Sequence, residues 1–274
     1  MGAHHQAFWR THRLNHMQPI TPHPALEVKD IEMYRPMHWL ALAWKDMERC
    51  PTAGVTHGLI LALVGGGLFW FARHDFWWIV AMLSVSMIIA PLLATGLYDI
   101  SRRLERDEEA TLADAFRIWT SGDKRLIQFG LLLALSSTGW LVCSAALIHW
   151  MLPDSVHTPT DFVRLVVLQP HFGLFEVWVI LGAFMAAPMY ASTLVTIPLL
   201  MDHPTLTVQQ AVLTSWRVVA MNPFAMACWA GILCLFTALG IGSAFLGLLG
   251  VVPMLGHASW HAYRDLVVYD PTVH

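Results

Sequence analysis

Long apolar stretches dominate this chain and limit what it can become. They run over about 55–72, 76–98, 126–151, 172–201 and 223–263. A helix needs about 20 apolar residues to cross the roughly 30 Å hydrocarbon core of a bilayer. The last stretch has room for two crossings, and Gly240-Ile241-Gly242-Ser243 offers the tight turn between them. Only 13% of the residues are charged, about half the share in an ordinary soluble domain. The reading is an all-α membrane protein with six transmembrane helices. Pro188 and Pro198 interrupt the fourth stretch, and Gly65-Gly66-Gly67 allows close helix packing in the first.

The flanks are polar. Residues 1–36, with His4, His5, His12, His16 and His23, have no apolar periodicity and read as a disordered cytoplasmic tail. No apolar run precedes Leu40, which argues against a cleaved leader. Residues 37–50 pattern as an amphipathic helix, the membrane domain is set at 37–267, and 268–274 is a short C-terminal tail. With the N-terminus inside, every Lys and Arg except Arg73 and Arg164 falls on the inner side. That positive-inside bias predicts a multi-pass protein of the bacterial inner membrane with both termini cytoplasmic. The net charge of -3 gives no argument for nucleic acid. The expected partners are the bilayer and another membrane protein or a second copy. No CxxC occurs, so neither a disulfide framework nor a thiolate zinc site is indicated.

The chain also repeats itself. Three segments carry an aromatic-basic pair on an amphipathic helix: Trp44-Lys45, Phe116-Arg117 and Trp216-Arg217. Seven residues after each aromatic stands a helix-starting residue, Pro51, Asp123 or Pro223. Each hairpin then ends in Pro91-Leu92-Leu93, Pro198-Leu199-Leu200 or Pro253-Met254-Leu255. The six spans are therefore read as three helical hairpins, each preceded by an inner-face amphipathic helix.

This repeat gathers the candidate site. Four residues after the prolines stand Thr95, Asp202 and His257; eight after, Asp99 and His261. Related hairpins would bring them together with His57 as a polar cluster at the inner end. Ionisable groups near lipid tend to face one another or the bundle interior. The more ordinary use of such positions is to cap and anchor helix ends. Glu176, about five residues into the fourth stretch, is read as an intramembrane acid, or else as a group reaching the headgroups or His171. No cofactor is expected. The alternative is metal or haem ligation by His257 and His261, one helical turn apart, completed by His57, Asp202 or Asp99. The tail histidines with Met17 offer a second, weaker metal pattern.

No GxSxG, HExxH, P-loop or dinucleotide fingerprint occurs in a suitable setting, so the chain is not expected to be an enzyme. Four boxes make it resemble the bacterial domain-of-unknown-function family 2189. They are Ala90-Pro91-Leu92-Leu93-Ala94-Thr95-Gly96-Leu97-Tyr98-Asp99 continuing to Glu105, Ile197-Pro198-Leu199-Leu200-Met201-Asp202, the run from Thr214 to Pro223, and Pro253-Met254-Leu255-Gly256-His257-Ala258-Ser259-Trp260-His261-Ala262-Tyr263-Arg264. The last is the most specific. The chain departs from the pattern at Asp99, where Glu is expected, and at His203, where Arg is. The resemblance implies a multi-span bacterial membrane protein and assigns no activity or catalytic residues. Three roles fit: a non-catalytic accessory, assembly or scaffold component; a small transporter gated by the polar cluster; or a His-ligated metal or haem protein.

Overall fold

The structure, a computed structural model, describes residues 25–120, 122–152, 156–168 and 173–270. The chain forms two units. One is a helical body of residues 28–267; the other takes in the chain ends, 1–27 and 268–274. Two short strands, β1 (Ala25–Val28) and β2 (Val267–Asp270), pair with each other. Residues 25–28 and 268–270 are thus strand and Arg35 already opens a helix, where the sequence suggested tail; β2 begins one residue earlier, at the last residue set in the membrane domain. His4, His5, His12, His16, Met17 and His23 lie outside the described residues.

The helices, in chain order, are α1 (Arg35–Arg49), α2 (Pro51–Ala72), α3 (Phe76–Glu105), α4 (Leu112–Trp119), α5 (Lys124–Met151), α6 (Pro159–Phe162) with a π-helical turn (Val163–Val167), α7 (Leu174–Thr193), α8 (Thr196–Asp202), α9 (Val208–Met221), α10 (Pro223–Gly242) and α11 (Leu248–Leu266). Local rules set many of the starts. Pro51 and Pro223 stand at the first position of α2 and α10, where a missing N–H costs nothing. Asp75 accepts from the Trp78 N–H at 3.1 Å and caps α3. Asp123 accepts from the Arg125 N–H at 2.8 Å and caps α5.

Among the described residues, five helical segments are long and apolar enough to cross a bilayer: Pro51–Ala72, Phe76–Glu105, Lys124–Met151, Leu174–Asp202 and Pro223–Gly242. The remaining long helix, α11, has 19 residues. Its second half carries His257, His261, Arg264 and Asp265, so it is shorter in apolar length. Two expected breaks move. Helix α7 runs unbroken through Pro188, and the interruption falls at Leu194–Val195, which leaves Pro198 in the first turn of α8. Helix α10 continues through Gly240 to Gly242, and the turn occupies 243–247. Helix α3 outlasts its apolar stretch by two turns, because Asp99 pairs with Arg102 and Arg103 on the same helix.

The core sits at one end. Helix α11 packs on α1, α2 and α3; α3 packs on α5, α5 on α7, and α10 on α11. At Gly58 a Cβ would lie 2.6 Å from the Leu249 Cα, so α2 and α11 meet backbone to backbone. Fully buried Trp39, Leu97, Ile100, Leu199, Trp260 and Tyr263 gather around the C-terminal ends of α3, α8 and α11. A second cluster, Phe76, Ile148, Val156, Val166 and Leu174, sits at the opposite end of the long helices. Between these ends the helices expose apolar side chains such as Leu63, Leu131, Leu135, Ile180 and Leu239, as lipid-facing helices do.

Candidate functional site

The C-terminal ends of α3, α8 and α11 meet, and ionisable side chains join them. The innermost part links three helices. Ser101 Oγ on α3 donates to Asp46 Oδ2 on α1 at 2.6 Å. His261 Nε2 on α11 lies 2.8 Å from the same oxygen. His257 Nδ1, one turn earlier on α11, lies 2.7 Å from Ser101 Oγ. Ser101 and His257 are wholly buried. Burial alone would raise the Asp46 carboxyl, but the bonds from His261 and Ser101 outweigh it and hold Asp46 below the ordinary carboxylate value.

That ionised carboxylate fixes the protons. Asp46 can only accept, so Ser101 and the His261 Nε2–H both donate to it. The Ser101 hydrogen is thereby engaged, and His257 must donate its Nδ1–H to Ser101 Oγ. The His257 lone pair is then on Nε2, a buried nitrogen with no hydrogen-bond partner among the described residues. Asp46, Ser101 and His257 have the residue types of a hydrolytic triad with the opposite polarity: the imidazole donates a hydrogen bond to the serine oxygen and does not accept one from it.

A second node lies beside the first. Asp202, ending α8, accepts from Tyr263 Oη at 2.8 Å and pairs with Arg106 at 3.4 Å and Arg264 at 3.6 Å. Glu105 accepts from Trp260 Nε1 at 3.1 Å and Arg264 Nε at 2.9 Å. Arg125 donates to the carbonyls of Leu200 at 3.0 Å, His203 at 2.9 Å and Leu206 at 3.1 Å, satisfying the open end of α8. Arg35 and Trp39 on α1 both donate to Asp265 on α11, the indole at 2.8 Å.

Of the six residues expected to converge, Asp202, His257 and His261 are in this latch. Asp99 is next to it, engaged by Arg102 and Arg103, while Arg102 also reaches the Met201 carbonyl at 3.2 Å. Thr95 is not a member: its hydroxyl donates to the Leu92 carbonyl of its own helix at 2.5 Å. Nor is His57. Its Nδ1 donates to the Ala53 carbonyl at 2.7 Å, and its ring stacks on Phe116 and meets Trp119 edge-on. Its Nε2 lies against Gly96, where a Cβ would be only 2.7 Å away. Glu176 falls in the first turn of α7 and accepts from the Gly173 N–H at 2.8 Å, so it caps the helix start. Among the described residues, no three His, Cys, Asp or Glu side chains are placed to share a metal ion.

Sequence reasoning missed Asp46, Ser101, Glu105 and Tyr263. Asp46 lies in the 37–50 stretch read only as an amphipathic helix, and Glu105 only closes the first of the four boxes. The signal available was spacing: Ser101 and Tyr263 each stand ten residues after a hairpin-ending proline. Next to the latch lies a cavity of about 370 Å³ between α2, α3, α7, α10 and α11, with His57, Tyr98 and Ser259 in its wall at the latch end.

Residues 79–202 match the model of the family described as "Predicted integral membrane protein (DUF2189)". The boxes at 90–105 and 197–202 fall inside that span, and those at 214–223 and 253–264 lie beyond it. No curated protein and no solved structure matches the chain. From α3 through α8, this chain is therefore similar to the integral membrane proteins of domain-of-unknown-function family 2189, the family its sequence boxes resemble.

Proposed function

We propose that this protein is a non-catalytic accessory or scaffold component of the bacterial inner membrane. It spans the bilayer six times, α11 being the sixth crossing at about 28 Å for its 19 residues. The spans form three hairpins introduced by α1, α4 and α9, with both termini cytoplasmic. Two things support this architecture: the thrice-repeated order of surface helix, break and long helix, and the one-sided Lys and Arg.

One observation carries the functional reading. The carboxylates gathered near the hairpin ends are each engaged by neighbouring side chains: Asp46 by Ser101 and His261, Asp99 by two arginines, Asp202 by Arg106, Tyr263 and Arg264. A gate for a polar solute needs groups with bonding capacity left over along a wet passage. Here the groups close a latch, and the cavity beside it is mainly apolar. Such a molecule works through lipid and protein contacts. Affinity purification in mild detergent, with mass spectrometry and elemental analysis of one sample, tests this. The expected outcome is a membrane partner or a homo-oligomer at fixed stoichiometry, with neither a Soret band nor bound metal. A lone monomer whose reconstituted vesicles show solute flux abolished by Asp202→Asn would overturn it.

A further inference from the structure

The cavity has a closed end and an open end. Toward the latch its wall is buried, with Ile197, Trp229 and Gly256 sealing it; toward the other end Val64, Val85 and Ile241 are exposed. These three stand on helices of membrane-crossing length, so the opening faces hydrocarbon. The volume of about 370 Å³ is in the range of small-ligand sites. Three hydroxyls in the wall are already engaged by backbone: Tyr190 donates to the Met226 carbonyl at 2.8 Å, Thr193 to Met189 at 3.0 Å and Ser259 to Leu255 at 2.7 Å. Apart from His57 and the Thr237 hydroxyl, what the wall offers an occupant is mainly aliphatic and aromatic surface. Water gains little there, and an empty void forfeits dispersion contacts along its whole lining.

The open end is marked by strained backbone. In the turn between α10 and α11, Ala244 (φ 54°) and Phe245 (φ 68°) are both left-handed without being glycine. Such a residue is sterically disfavoured and persists only when its surroundings hold it. The result is that the Phe245 ring lies over Gly65, where a Cβ would come within 3.1 Å of it, and beside Phe69 at 5.8 Å between ring centres. Phe245 is itself part of the cavity wall.

We infer that this cavity takes one acyl chain of a membrane phospholipid. The chain enters end-first past Phe245, with its methyl end toward Trp229 and Ile197 and its headgroup left at the bilayer surface. The bilayer is the solvent at the opening, and its own chains are the ligand in excess. The inference rests on the spanning architecture and not on the accessory role, so it stands or falls separately from a partner search.

The test uses the full chain in phosphatidylcholine vesicles doped with a phosphatidylcholine that carries a diazirine near the end of one chain. After irradiation, adducts are mapped by mass spectrometry. Wild type should carry adducts on cavity residues such as Leu233 and Leu255, besides those on the exposed Leu131 and Leu135 of α5. Ala94→Phe, which fills the cavity, should cut the cavity adducts about tenfold and leave the α5 adducts unchanged. Phe245→Ala should raise them, which keeps a second arm if the first variant folds poorly. Adducts confined to outward surfaces in wild type, or cavity adducts that neither variant moves, would overturn the inference.

Discussion

Asp46 accepts two hydrogen bonds on a single oxygen, from Ser101 and His261, with His257 Nδ1 3.9 Å away. Asp46→Asn keeps the shape and removes the charge, leaving buried donors without a full acceptor. The expected loss is about 1–3 kcal/mol, read as a lower Tm in detergent. The pH dependence has a definite sign. Folded Asp46 has a depressed pKa, so its contribution is complete above the unfolded-state value. That contribution fades as pH falls and is gone below the folded value. Wild type should therefore lose more stability than Asp46→Asn when Tm is followed from neutral pH down through the carboxylate range. At Gly58 the argument is steric. An added methyl would meet Leu249 backbone, which cannot rotate away, so Gly58→Ala should cost about 1–3 kcal/mol. A Tm equal to wild type would count against that backbone contact.

At the scale of elements, α1 is held to α11 by side chains from both of its ends. Arg35 and Trp39 reach Asp265, and Asp46 reaches His261. Asp265→Asn should loosen the first turns of α1 while α11, packed on α2 and α3, stays protected. Hydrogen exchange reads this directly: α1 amides near Trp39 should exchange faster, by about tenfold for 1.4 kcal/mol of local opening. Equal acceleration in α11 would mean the two helices open as one. Helix starts were legible in the sequence because they follow local rules, as at Pro51, Asp123 and Pro223. The breaks were not. Pro188 looked like a stop, yet the chain turns at Leu194–Val195. The Gly240-Ile241-Gly242 run looked like a turn, yet it is helix. In lipid-facing helices neighbours and side-chain hydroxyls re-satisfy the backbone, so Pro and Gly lose part of their meaning as punctuation.

For the whole molecule, the multi-span, all-helical character followed from apolar length alone. The latch did not. His257, His261 and Asp202 were visible as polar residues at repeat positions, but Asp46 and Ser101 belong to patterns that also describe a wet helix face. Which polar residue turns inward is set by packing between elements distant in sequence, and no local period records it. The positive-inside argument makes a prediction of its own. A periplasmic reporter fused after His274 should be inactive, and one inserted after His74 should be active. The reverse pattern would invert the topology and move the latch to the outer face.

The contact between His57 and Gly96 has a consequence for how such chains can vary. Nε2 of His57 occupies the space where any side chain at 96 would begin, so the two positions are not free to drift independently. A relative that gains even alanine at 96 should have a smaller residue at 57. Within a set of diverged sequences this would surface as correlated substitution between α2 and α3, with Phe116 and Trp119 on α4 changing alongside.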